Sequence, residues 1–257
     1  MKYVVVLCEG MSDEPLDELE GRTPLALAKS SHMDTLARVS EVGMVHNVPK
    51  GTVPDTSTAD LAILGYDCSL AKELDNEESK NLFEDYYTKT GKRTALIAAD
   101  DALRKIASMT DMTFIEVEGA TGTLNTNFAG KKDAAISALF DKDYDLVIIH
   151  VKGLDEVSRS KSVEKKVHGI ENIDAYLIGP LIEELQGRDV EFRILIMPDV
   201  PTYVRLGSST SDAVPYMLYD SGIEVEGCQA FLEKYAKESG ICYDDGYSLL
   251  SHLLEDN

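Results

Sequence analysis

The composition of this 257-residue chain is that of an ordinary folded protein, since 44% of its residues are hydrophobic and 28% are charged, which excludes disordered and membrane-embedded classes. The formal net charge of -21 argues against nucleic acid as a partner, because such a surface repels a phosphate backbone. The opening apolar run, KYVVVLC, is too short for a signal peptide or a membrane span, and the cysteines are scattered, so we expect a cytoplasmic protein with no membrane partner.

Apolar runs and helical patterns alternate along the chain. The runs predict strands at 3–8, 94–99, 113–117, 146–151 and 192–197. The helical patterns cover the stretch that begins at Pro24 and runs to about residue 40, and then 132–140, 163–186, 228–238 and 246–254. Because the apolar runs are unbroken rather than alternating, both faces of the sheet should be covered. We therefore predict an α/β fold with a doubly wound, mainly parallel sheet and helices on both faces.

Acidic residues follow three of the predicted strands. Glu9 comes directly after the first strand, and Asp155 and Asp199 follow the last two. Ligands bind at the carboxyl ends of the strands in such sheets, so we expect these carboxylates to line one crevice. Their alternative roles are to cap the next segment or to pair with Arg159 or Lys152.

The loop VPDTSTADLAILGYD, residues 53–67, places hydroxyls at the start of a predicted helix. A hydroxyl beside metal-binding oxygens can act as a nucleophile, and Thr56 or Ser57 would take that role. The competing interpretation is that Thr56, Ser57 and Thr58 cap the helix by accepting a hydrogen bond from a backbone N–H, which is the more common fate of such residues.

Five segments carry a resemblance to a known family. In chain order they are GRTPLALAKSSHMDTLARVSEVGMV, STADLAILGYD, EVEGATGTLNTNF, HVKGLDE and DAVPYMLYD. With them the chain resembles the archaeal type of cofactor-independent phosphoglycerate mutases, members of the alkaline phosphatase superfamily. The resemblance implies an alkaline-phosphatase-like core in which two metal ions, typically manganese or zinc, activate a serine for phosphoryl transfer.

The resemblance places part of the family's site on this chain. Asp155 and Asp199 match family aspartates, Glu9 falls on a third aspartate, and Thr56 falls on the nucleophilic serine, with Ser57 at the next position. These residues therefore become the candidate metal ligands and nucleophile. Threonine serves as the nucleophile in other members of the superfamily, so that change alone does not exclude catalysis.

The metal-binding histidines of the family are replaced. The resemblance places Arg159, Val200 and Ser209 at the three histidine positions, and none of them can replace imidazole as a metal ligand. A guanidinium stays charged, so we expect Arg159 to pair with Asp155 or a neighbouring acid and to substitute electrostatically for part of a cation. The remaining oxygens suit a single, weakly held divalent cation, Mg²⁺, Mn²⁺ or Ca²⁺, better than Zn²⁺.

Basic residues suggest where an anion would bind. Arg93, Arg104, Lys152 and Arg205 could form a small pocket for a phosphorylated small molecule, or they could simply balance nearby acids. His150 is the histidine nearest the predicted crevice, but no second histidine stands at ligand spacing, so the pattern favours a core role.

The family's inserted domain has no counterpart of similar size. In the family it follows a GYDP element and closes over the substrate, whereas GYDCS leads here into the short charged segment 69–91. We therefore predict a single core domain over residues 1–257, with this segment in place of the lid. An open site favours hydrolysis over the return of a phosphoryl group to the same substrate.

The sequence favours a catalytically depleted family member that binds a ligand or a protein partner over an active mutase. The alternative is a metal-dependent phosphatase or phosphotransferase, or a residual mutase, in which Thr56 is the nucleophile and Glu9, Asp155 and Asp199 hold the cation. A third hypothesis is a subunit whose open crevice is completed by a partner, with the oligomeric state left open.

Overall fold

The computed structural model describes residues 1–255 and centres on an eight-stranded sheet with the order β10-β2-β9-β6-β1-β5-β3-β4. Its strands are β1 (Lys2–Cys8), β2 (Glu41–Val45), β3 (Thr94–Ile97), β4 (Thr113–Ile115), β5 (Leu146–Val151), β6 (Phe192–Met197), β9 (Val214–Asp220) and β10 (Cys242–Tyr243). A separate hairpin joins β7 (Thr202–Tyr203) to β8 (Ser208–Ser209).

The parallel part of the sheet matches the prediction from the apolar runs. Strands β6, β1, β5, β3 and β4 all run in the same direction, whereas β9 is antiparallel to both of its neighbours. Strands β2, β9 and β10 and the hairpin were not predicted. In β2 and β9, Gly43, Pro215 and Tyr216 interrupt the runs of Val, Ile and Leu on which the prediction depended.

Helices cover both faces of the sheet. They are α1 (Pro24–Leu27), α2 (Ser31–Ala37), α3 (Thr56–Ile63), α4 (Tyr86–Thr90), α5 (Asp101–Met109), α6 (Phe128–Phe140), α7 (Gly153–Arg159), α8 (Val163–Ile173), α9 (Gly179–Gln186), α10 (Glu233–Glu238) and α11 (Gly246–Leu254). Short 3-10 turns occur at Asp17–Leu19, Cys68–Glu73 and Glu77–Leu82, and a π-helical turn, Asp174–Ile178, joins α8 to α9. Within residues 1–255, no helix combines the length and the apolar character that crossing a membrane requires.

Two of the helix predictions were wrong in extent. The helix predicted from Pro24 to about residue 40 is broken, because Asp174 accepts hydrogen bonds from the backbone N–H groups of His32 and Met33 and so starts a second helix there. The predicted helix 228–238 begins only at Glu233, since the backbone N–H of Phe231 donates instead to Asp34 of α2.

The core lies in two layers, one on each face of the sheet. Alternate residues of β1 point to opposite sides, so that Val4 and Val6 pack with α6, α8 and α9, while Val5 and Leu7 pack with α3, α5 and α11. Because helices bury both faces, the central strands have no polar side, which explains their continuous apolar sequence.

Gly65, at the end of α3, offers a test of this packing. Its φ is +79°, and a Cβ there would lie 2.3 Å from the ring of Tyr247. We expect Gly65→Ala to lower the free energy of unfolding by about 2–4 kcal/mol, through left-handed strain and overpacking together. Gly91 is the matched control, because its φ is +67° but a Cβ would meet nothing within 4 Å. Urea denaturation should give a smaller loss for Gly91→Ala, and equal losses would contradict the packing argument.

Candidate metal centre

Three neighbouring strands bring the strongest candidate site together. Glu9 directly follows β1, His150 is the last residue but one of β5, and Asp199 lies two residues beyond β6. Because β1 is paired with both β5 and β6 in parallel, the three carboxyl ends meet at one edge of the sheet. One ligand atom from each residue lies within 4.8 Å of the others, and the three side chains are buried.

The distances within this cluster suit a bound cation. His150 Nε2 lies 3.4 Å from Glu9 Oε2 and 3.4 Å from Asp199 Oδ2. Among residues 1–255, Glu9 Oε2 is a buried oxygen without a hydrogen-bond partner. A buried, unpaired carboxylate oxygen is costly, so two carboxylates and an imidazole at this spacing fit a divalent metal ion.

The electrostatics of the cluster agree with its geometry. Burial, and then the charge of Asp199, raises the pKa of Glu9 to about 8. Burial, again followed by Asp199, raises the pKa of Asp60 well above its ordinary value. Without a cation both carboxyl groups therefore favour the protonated form, and a bound cation would favour the ionised form.

Thr56 contacts the cluster directly. Its Oγ1 donates a hydrogen bond to Glu9 Oε1 at 2.6 Å from the first residue of α3. The capping interpretation of Thr56, Ser57 and Thr58 was wrong, because the Asp55 side chain is the N-cap and accepts from the Thr58 N–H at 2.8 Å. With the cap supplied by Asp55, the Thr56 hydroxyl is held against Glu9, while Ser57 follows it in the same turn.

Asp155 belongs to a neighbouring group rather than to the Glu9 cluster. Arg159 Nε donates to its Oδ2 at 2.7 Å, and Thr202 Oγ1 donates to its Oδ1 at 2.7 Å. Arg159 also donates through Nη2 to Ser209 Oγ at 2.9 Å. The predicted pairing of Arg159 with Asp155 is confirmed. The group of close ligand atoms contains Glu9, His150 and Asp199 but not Asp155, so the predicted set of Glu9, Asp155 and Asp199 differs from the set that the structure gathers.

The four basic residues proposed for an anion pocket are not gathered. Lys152 Nζ donates to Asp100 at 2.5 Å and lies near the cluster. Its positive charge offsets a small part of the rise in the pKa of Glu9 that burial and Asp199 cause. Arg93 lies at the start of β3, at the opposite end of the sheet, and donates to the carbonyl of residue 143. Arg104 pairs with Glu116, and Arg205 with Glu14, both on the surface.

His150 is a candidate metal ligand that the sequence placed nearest the crevice but assigned to the core. It lies within the apolar run of β5, and a histidine in such a run is usually a buried core residue. The signal that could have found it is its position next to the carboxyl end of a strand flanking β1. Its imidazole adds a nitrogen ligand to the carboxylate oxygens. The expected preference for Mg²⁺ or Ca²⁺ over Zn²⁺ was based on oxygen ligands alone, so it no longer follows. Mn²⁺ fits the mixed set of oxygen and nitrogen ligands well.

Comparison with known proteins gives this cluster a context. A family model described as "Metalloenzyme superfamily" matches residues 1–242. A 2,3-bisphosphoglycerate-independent phosphoglycerate mutase from Methanothrix thermoacetophila is 25% identical over 392 residues, which span 99% of this chain and 100% of that protein. Since this chain has 257 residues against 392 aligned positions, at least 135 of those positions have no residue here.

Solved structures share the fold. The PH0037 protein from Pyrococcus horikoshii matches with a TM-score of 0.86 at 21% identity, covering 100% of this chain and 98% of that one. A cofactor-independent phosphoglycerate mutase from Thermoplasma acidophilum matches with a TM-score of 0.71 at 14% identity, covering 99% of each chain. The predicted α/β, alkaline-phosphatase-like core is therefore confirmed.

Proposed function

Since the chain belongs to the Metalloenzyme superfamily, we propose that it is a metal-dependent phosphatase or phosphotransferase that uses one divalent cation and Thr56 as its nucleophile. The observation that carries this proposal is the 2.6 Å hydrogen bond from Thr56 to Glu9, inside a cluster of metal-binding type. A hydroxyl oriented beside cation ligands is the arrangement that nucleophilic phosphoryl transfer needs.

The residues of the cluster divide the work. Glu9, His150 and Asp199 hold the cation, which supplies positive charge for the oxygens of the transferring phosphoryl group. Thr56 Oγ1 forms the new bond to phosphorus as the bond to the ester oxygen breaks, and its proton passes along the hydrogen bond to Glu9. The departing alkoxide takes a proton from solvent. Water then attacks phosphorus and loses a proton to solvent as the bond to Thr56 Oγ1 breaks. Glu9 returns its proton to Thr56 Oγ1, which restores the hydroxyl, and inorganic phosphate is released.

Arg159 takes a supporting role in this proposal. Its Nε and Nη2 are fixed by Asp155 and Ser209, and 48% of its side chain is exposed. A guanidinium held in this way presents a permanent positive charge to an anion at the edge of the site. By the resemblance, Arg159 stands where the family binds a second metal ion, so a fixed charge serves there in place of a cation.

A phosphomonoester hydrolase fits this chain better than a mutase. The relative from Methanothrix thermoacetophila is named as a mutase, but its alignment includes at least 135 positions that this 257-residue chain lacks. The segment predicted to replace the lid, 69–91, consists of short helical turns. Without a closing domain, water competes with the second hydroxyl of a bound substrate. We infer that the substrate is a phosphorylated small molecule whose phosphate group is hydrolysed.

The proposal is tested with purified protein, p-nitrophenyl phosphate and added Mn²⁺ or Mg²⁺. We expect hydrolysis that EDTA removes, and a loss of roughly 100-fold in Glu9→Gln, since an outer partner of a metal ligand alone costs about 10–100-fold. Glu164→Gln is the matched control, because Glu164 is exposed on α8. If Glu9→Gln hydrolyses as fast as the control, or if no metal supports turnover, the proposal is wrong.

A binding homologue without turnover is the second candidate. It is favoured by the Asp155–Arg159 pair, in which a salt bridge fills a position that the resemblance assigns to a metal ligand. This candidate predicts that inorganic phosphate binds in calorimetry while p-nitrophenyl phosphate is not hydrolysed with any of the metals. Metal-dependent hydrolysis that is lost in Glu9→Gln would exclude it.

A further inference from the structure

Asp60 is a buried carboxylate that the proposed mechanism does not use. Its side chain is fully buried on α3, at 0% exposure. Within residues 1–255, neither of its carboxylate oxygens has a hydrogen-bond partner. Burying an ionised carboxylate without a partner is strongly unfavourable, and proteins rarely retain such a group without a reason.

The position of Asp60 points it towards the metal centre. It lies four residues after Thr56 in the same helix, so the two side chains share one face. Helical side chains lean towards the N terminus of the helix, which directs the Asp60 carboxylate towards the turn that carries Thr56. Burial is the main reason that the pKa of Asp60 is raised, and the charge of Asp199 is the next largest cause. Asp199 is itself a member of the cluster.

Protonation of Asp60 would remove its charge but would not supply its missing hydrogen bonds. A protonated carboxyl still carries an O–H donor and an acceptor oxygen, and the described chain provides no partner for either. The ligand atoms of Glu9, His150 and Asp199 all lie within 4.8 Å of one another, and Asp60 is not part of this group. The geometry therefore does not make Asp60 a direct metal ligand. A hydrated cation would satisfy it, because the bound water molecules donate hydrogen bonds beyond the direct ligands.

We propose, on the basis of the proposed function, that Asp60 is an outer-sphere carboxylate of the metal centre that selects a hydrated cation, Mn²⁺ or Mg²⁺, over Zn²⁺. Mg²⁺ dehydrates reluctantly and keeps several of its water molecules, whereas Zn²⁺ is usually held by four direct ligands with few waters. A carboxylate that accepts hydrogen bonds from metal-bound water therefore stabilises a hydrated Mg²⁺ or Mn²⁺ ion and does little for a Zn²⁺ ion that keeps few waters. It positions the cation rather than touching the reacting atoms.

The test is the binding of metals alone to Asp60→Asn, measured by titration calorimetry with Mn²⁺ and Zn²⁺. We expect the Mn²⁺ affinity to fall about 10-fold or more, as for other outer partners of metal ligands, and the Zn²⁺ affinity to change less than about threefold. The increase in melting temperature that Mn²⁺ causes should be smaller in Asp60→Asn than in the wild type.

Asp60→Ala is measured in parallel, in case Asp60→Asn does not fold. It is expected to show the same selective loss of Mn²⁺ affinity. Asp34→Asn, in which a half-buried aspartate on α2 is changed far from the centre, is the matched control and should bind Mn²⁺ like the wild type. Equal Mn²⁺ affinity in the Asp60 variants and the wild type would overturn the inference and leave the proposed function intact. No Mn²⁺ binding by the wild type would overturn both.

Discussion

Replacing Thr56 by alanine is expected to lower the rate of p-nitrophenyl phosphate hydrolysis by roughly three orders of magnitude or more, the scale on which enzymes lose activity with their nucleophile. The change removes the hydroxyl that donates to Glu9 at 2.6 Å. Folding should be little affected, because Asp55 rather than Thr56 caps α3. Steady-state kinetics give kcat/KM, and thermal melting followed by circular dichroism reports the fold.

Two further substitutions in the same turn identify the reacting hydroxyl. Thr56→Ser keeps an oxygen at the same position, so it should retain activity within about 10-fold of the wild type. Ser57→Ala removes the neighbouring hydroxyl and separates the two candidates for nucleophile. Full activity in Thr56→Ala, together with its loss in Ser57→Ala, would transfer the role to Ser57 and contradict the mechanism given above.

Replacing Lys166 by alanine is expected to lower the free energy of unfolding by about 3–5 kcal/mol, the usual cost of leaving a buried charge without its partner. Lys166 Nζ lies 2.8 Å from Asp13 Oδ2, and both side chains are 0% exposed. The same ammonium donates to the backbone carbonyls of Ser12 and Thr202, so it joins the segment after β1 to the hairpin of β7 and β8. Urea denaturation measures the loss.

An exposed pair provides the control for Lys166. Lys105 pairs with Asp75 on the surface, where 44% and 81% of the two side chains are exposed. Lys105→Ala should cost at most about 1 kcal/mol, since water screens such pairs. Removing both buried charges, in Lys166→Met with Asp13→Asn, should restore part of the stability lost in Lys166→Ala. Equal losses in the Lys166 and Lys105 variants would show that the buried pair is not structurally important.

The parallel strands were predictable because burial on both faces of the sheet requires a run of apolar residues, which is visible in the local sequence. A strand buried on both faces is mostly apolar, and the apolar runs gave the exact bounds of β5 and β6. The break between α1 and α2 left no such trace. It depends on Asp174, which is 142 residues from the backbone N–H of His32 that it accepts from. Interactions of that separation are set by tertiary packing, which local patterns do not contain.

The site was predictable in part for the same reason. Glu9 and Asp199 follow apolar strands, so the rule for carboxyl ends of parallel strands located them. The Asp155–Arg159 pair was predicted from the permanent charge of the guanidinium, and the structure places the two residues four apart in α7. His150 was placed nearest the crevice but assigned to the core, and Asp60 was not singled out, since each lies inside an apolar stretch. Only the folded arrangement of β1, β5 and α3 brings His150 and Asp60 to the same end of the sheet as Glu9.

The central position of β1 between β5 and β6 links metal chemistry to folding. The three ligands come from distant parts of the chain, and only the completed pairing of these strands brings Glu9, His150 and Asp199 together. An unfolded chain therefore has no preformed site, and an ion bound at the proposed centre would be a ligand of the native state alone. At a concentration 100 times its dissociation constant, such a ligand adds about 2.7 kcal/mol to stability. Metal supply would then set how long each copy of the chain survives proteolysis, as well as how fast it works.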